Sequence, residues 1–129
     1  MYDDFYALDR WTGKQLHCIY QALVAAIATR HADAIDIKFL VEGRPTWIAL
    51  PHLAWVEYTR QTGKIINDPL AVHAAGHYLK EAIETGLDNG REIYTLTVDE
   101  ALQHVRAVLQ EFNAPPEALP KLNPPVTVP

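Results

Sequence analysis

From Asp68 to Gly86 the chain reads DPLAVHAAGHYLKEAIETG, and Val72, Ala75, Leu79, Ala82 and Ile83 recur at the i, i+3, i+4, i+7 spacing that buries one side of a helix. His73, His77, Lys80, Glu81 and Glu84 fall on the other side. Asp68 suits the N-cap, Pro69 the first turn, where its missing N–H is not needed, and Gly86 the left-handed residue that closes many helices. The pattern predicts a helix over residues 68–85.

A second helix is expected over residues 12–30. The T-x-x-Q run from Thr12 to Gln15 fits a capping box, Trp11 can staple onto Leu16, and Leu16, Ile19, Tyr20, Leu23 and Ile27 keep a helical period. Its flank holds Ala22, Ala25, Ala26 and Ala28, a small-residue surface that lets another helix approach, within the fold or across a dimer. A third helix, over residues 98–112, follows from the capping box Thr97-Val98-Asp99-Glu100 and the stripe Val98, Leu102, Val105, Leu109 and Phe112.

Strand signals are shorter. Ile35, Ile37, Phe39 and Val41 alternate with Asp36, Lys38 and Glu42, and after the turn at Glu42-Gly43-Arg44-Pro45 residues 46–50 return antiparallel. Residues 92–96 supply a third strand after the asparagine-glycine turn at Asn89-Gly90. Residues 51–62 contain the strand-prone Trp55, Val56, Tyr58 and Thr59, but Pro51 at the start and Gly63 at the end favour a short helix. On it Leu53 and Val56 share one side and Trp55 and Tyr58 another, an apolar excess suited to a pocket or a subunit interface. The first ten residues, acidic and aromatic, show no period long enough to name an element.

Six of the nine prolines lie in the last sixteen residues, which excludes helix and central strand there. Leu119, Leu122, Val126 and Val128 are apolar teeth on this extended segment, able to dock on the domain or a neighbour. The prolines fall at P-x-x-x-P rather than the PxxP spacing of SH3 ligands. The expected architecture is α+β: residues 1–113 form one domain with a small three-stranded, mostly antiparallel sheet packed by three main helices, and residues 114–129 form a proline-rich tail.

Composition narrows the function. At 129 residues and 49% hydrophobic content the chain builds one core without staples, and its formal net charge of -5, with basic residues scattered, disfavours nucleic acid. Cys18 is the only cysteine, which rules out an internal disulfide and suits a reducing cytoplasm. No stretch approaches the roughly 20 apolar residues of a membrane span, and the amino terminus carries no basic, apolar leader. There is no serine at all, and no phosphate-binding glycine loop.

One polar constellation bears on chemistry. His73 and His77, four residues apart, point the same way from the 68–85 helix, with Glu81 one turn further, so the three can hold a metal ion. The zinc-peptidase pattern H-E-x-x-H is not met, because Ala74 stands where its glutamate belongs, and Lys80 brings a positive charge close. The sequence therefore assigns no catalytic residue, cofactor or metal, and its leading expectation is a soluble, non-catalytic binding or accessory domain that self-associates as a dimer. The alternative is a metal- or small-molecule-binding enzyme using His73, His77 and Glu81, assisted by His52 or Tyr58 as acid or base.

Overall fold

Within the expected helix over 12–30, residues Gln15–Ala26 form a strand. In the computed structural model, which describes residues 1–26 and 34–122, β1 (Asp4–Leu8) and β2 (Gln15–Ala26) form an antiparallel hairpin, and the expected three-stranded sheet becomes a five-stranded mixed one. Thr12 caps no helix: its hydroxyl donates to Asp9 Oδ2 at 2.6 Å within the tight turn between the strands. The misleading period has a physical cause. Leu16, Cys18 and Tyr20 alternate inward, and the register then shifts between Tyr20 and Ala22, so that Leu23 rather than Ala22 faces the core. A β-bulge of this kind converts a period of two into a 16, 20, 23 spacing that mimics a helix. Ile27 and Ala28, also assigned to that helix, lie outside the described residues.

β3 (Ala34–Val41) and β4 (Arg44–Pro51) complete the antiparallel part of the sheet. Glu42 and Gly43 alone connect them, both at positive φ, 49° and 80°, the mirror-image turn whose twist matches a hairpin. The chain then runs through α1 (His52–Thr62) and α2 (Asp68–Thr85) before β5 (Ile93–Thr95) returns parallel to β4, and α3 (Val98–Glu111) follows. The spatial order is β1-β2-β3-β4-β5. Residues 51–62 are helical from His52 onward, as the flanking proline and glycine suggest.

Caps set the helix ends. Asn67, one residue before Asp68, caps α2 by accepting the Leu70 N–H at 2.9 Å, while Thr97 and Glu100 form the expected reciprocal box on α3. The helices cover the sheet face that carries Phe5, Cys18, Ile37, Phe39, Ile48 and Leu50; Val72, Leu79 and Ile83 of α2 and Leu102 and Val105 of α3 pack onto it. The opposite face keeps Tyr6, Ile19 and Val24 in solvent. On α1 the side of Ala54 and Tyr58 is buried, and Leu53 and Val56 on the other side are exposed.

Residues 114–122 fold back on the domain. A single 3-10 turn, Pro116–Ala118, brings Ala118 against α1 and Pro120 against α3: Tyr58 Oη donates to the Ala118 carbonyl and Arg106 to the Pro120 carbonyl, both at 2.7 Å. Of the tail's apolar teeth, Val126 and Val128 lie outside the described residues.

Candidate functional site

Two helices build the polar site. α2 presents His73, His77 and Glu81 along one side, and α3, packed beside it, turns His104 toward them. The Nδ1 atoms of His77 and His104 are 2.7 Å apart, and His104 Nε2 lies 3.8 Å from Glu81 Oε2. His77, Glu81 and His104 form the one group of three or more metal-ligating side chains among the described residues, each offering a ligand atom within 4.8 Å of the others.

His73 does not join this group. Its Nδ1 accepts the Tyr2 N–H at 3.2 Å, and its ring stands edge-on to Phe112. Gly76 explains the approach of Tyr2: a Cβ there would stand 2.0 Å from the Tyr2 carbonyl oxygen, so only glycine lets the N-terminal segment lie across α2. The Tyr2 ring then caps His77 edge-on, with centroids 5.2 Å apart, and its hydroxyl reaches both oxygens of Glu111 at 2.7 and 3.0 Å. Burial, reinforced by Glu111, pushes the Tyr2 phenol up to about 12.

Burial and the neighbouring His77 push His104 down to about 4 against a small opposing pull from Glu100, which leaves its imidazole neutral at neutral pH. One proton between the two Nδ1 atoms satisfies both, and with His77 as donor the Nε2–H of His104 faces the Glu81 carboxylate. Glu81 itself is half exposed, and a pocket of about 130 Å³ lined by Tyr78, Glu81, Glu100 and His104 opens beside it. Lys80 is held by Glu84 at 2.8 Å, in an i, i+4 pair.

Neither acid–base assistant reaches the cluster. His52 opens α1 and is exposed, whereas Tyr58 is buried with its hydroxyl on Ala118. No hydrogen bond, ion pair or ring contact links either to His77 among the described residues. His104 is the residue that sequence reasoning left aside. It flanks the apolar stripe of α3 as His77 flanks that of α2, and two such flanks meet when the stripes pack together.

Of the three surfaces considered for self-association, two are used within the chain. Trp55 Nε1 donates to the Ile66 carbonyl and Tyr58 is buried, and the tail lies against α1 and α3 as far as Lys121, whose N–H donates to Gln61 Oε1. Ala22, Ala25 and Ala26 of the alanine flank are instead part of β2, and Ala28 lies outside the described residues. β1 pairs with β2 only along its first five residues, ending at Ile19, and Tyr20 N–H donates to Asp3 O. Beyond the bulge at Gln21, residues 22–26 pair with β3 on one side, and no strand lies on the other among the described residues. No protein-family model, no curated protein and no solved structure matches this chain.

Proposed function

We propose that this protein is a small, non-catalytic binding or accessory domain that self-associates as a homodimer by pairing the outer edge of β2 with the same edge of a second copy. The observation that carries this reading is the composition of that edge. Beyond the bulge at Gln21, residues 22–26, ALVAA, contain no charge and no proline, two of the devices by which sheets protect an exposed edge. Five residues at about 3.3 Å each give an edge about 17 Å long, and an antiparallel edge is self-complementary about a two-fold axis. The other end of the sheet is blunted, because β5 is only three residues long.

Pairing across the axis joins two five-stranded sheets into one and satisfies backbone groups that water otherwise serves. Val24, 46% exposed on the helix-free face, then gains an apolar neighbour from the second copy. The cytoplasm is the proposed compartment, because Cys18 is the only cysteine and no internal disulfide is possible. No helix among the described residues is long and apolar enough to cross a membrane.

Amide hydrogen exchange tests the pairing directly. Those N–H groups of residues 22–26 that face away from β3 should exchange slowly, with protection that rises with protein concentration, and should exchange fast in the Val24→Lys variant while the N–H groups bonded within the β2–β3–β4 sheet stay protected. Exchange of those outward groups that is fast at every concentration, or unaffected by Val24→Lys, overturns the pairing.

A further inference from the structure

The geometry points to a divalent transition-metal site at His77, Glu81 and His104, in which an ion of the zinc class bridges α2 and α3 and keeps an open position toward solvent. Two imidazoles and one carboxylate are a donor set that suits such an ion, and three protein ligands plus water complete a tetrahedron. The spacing is close to what is needed. Ligand atoms at about 2.0–2.1 Å from a tetrahedral ion stand about 3.3 Å apart. The two Nδ1 atoms, at 2.7 Å, have only to separate slightly, whereas Glu81, whose oxygen now lies 3.8 Å from the other ring nitrogen of His104, Nε2, has to swing round to the Nδ1 side; one ligand atom from each of the three residues already lies within 4.8 Å of the others.

The surroundings favour the same ion. His104 is 5% exposed and His77 lies beneath the Tyr2 ring, so both imidazoles are held by packing, whereas Glu81 at the mouth is 52% exposed. The pocket beside them is lined by a second carboxylate, Glu100, whose side chain also accepts the Thr97 N–H at the start of α3. Lys80, the one nearby cation on α2 that would repel an ion, is paired with Glu84. Such an ion fastens the two helices, and binding to the folded state alone stabilises it in proportion to the logarithm of the free ion concentration.

Isothermal titration of EDTA-treated, untagged full-length protein with zinc chloride tests the site. The expected result is one ion per chain, with a melting temperature raised by about 5–10 °C at a hundredfold excess over Kd. His77→Ala should abolish binding and Glu81→Gln should weaken it tenfold or more; both positions are at least partly exposed, and circular dichroism verifies their folding. His73→Ala and His17→Ala should bind as the parent does. Absence of zinc binding by the folded parent, or a Kd unchanged in both His77→Ala and Glu81→Gln, overturns the assignment.

Discussion

The imidazoles of His77 on α2 and His104 on α3 meet Nδ1 to Nδ1 at 2.7 Å, and this contact joins two helices whose sequences give no hint of each other. It has a consequence for acid stability in metal-free protein. The unfolded chain takes up a proton at this histidine near pH 6.5, whereas burial and His77 delay protonation of folded His104 to about 4. The depressed value means that the contribution is intact above pH 6.5 and is lost progressively as pH falls toward 4, on the order of 3 kcal/mol in total. His73, lowered by burial, acts in the same direction. Urea unfolding in EDTA at a series of pH values should show this decline, with a shallower slope in His104→Gln; equal slopes in the two proteins contradict it.

Gly76 is expected to tolerate no side chain. Its Cβ would also stand 2.8 Å from Tyr2 Cβ, so Gly76→Ala must lift the N-terminal segment from α2 and release the Tyr2 N–H from His73. Alanine favours a helix by up to about 1 kcal/mol over glycine, but overpacking typically costs about 1–3 kcal/mol, so the net effect is a loss of stability. Denaturant unfolding reads it. A stabilised Gly76→Ala protein shows that Tyr2 does not occupy this notch.

The tail should depend on one phenol. Tyr58→Phe leaves the Ala118 carbonyl without its buried donor, which costs about 1–2 kcal/mol, and the segment then rests on Arg106 and Gln61. Limited proteolysis is expected to cleave within residues 114–122 faster in Tyr58→Phe than in the parent. Equal cleavage rates indicate that the segment is not held by this bond.

Thr46 offers the opposite case. Its hydroxyl oxygen is buried with no hydrogen-bond partner among the described residues. Thr46→Val keeps the shape and removes the unsatisfied group, so thermal unfolding should show unchanged stability or a gain of up to about 1 kcal/mol. A marked loss would place an unseen partner at that oxygen.

The elements with explicit boundary chemistry were readable from sequence. α2 and α3 follow from their apolar stripes, from Pro69 and Gly86, and from the Thr97/Glu100 box; the β3–β4 hairpin follows from alternation around Glu42 and Gly43. β2 was not, because the shift between Tyr20 and Ala22 spaces Leu16, Tyr20 and Leu23 as a helix would, and the short β1 has only Phe5 and Ala7 to mark its buried side. Half of the site was visible: His77 and Glu81 share a helix face, but His104 lies 27 residues from His77 and joins it only through the packing of α2 on α3. Sequence spacing also could not show that Tyr2 takes His73 away from the pair.

Self-association through β2 is tested most directly by native mass spectrometry of the untagged protein across a concentration series. Pairing through β2 yields a two-chain species that dominates at higher concentration and gives way to the single chain in Val24→Lys. A single-chain mass at every concentration, or a dimer undiminished by Val24→Lys, contradicts it.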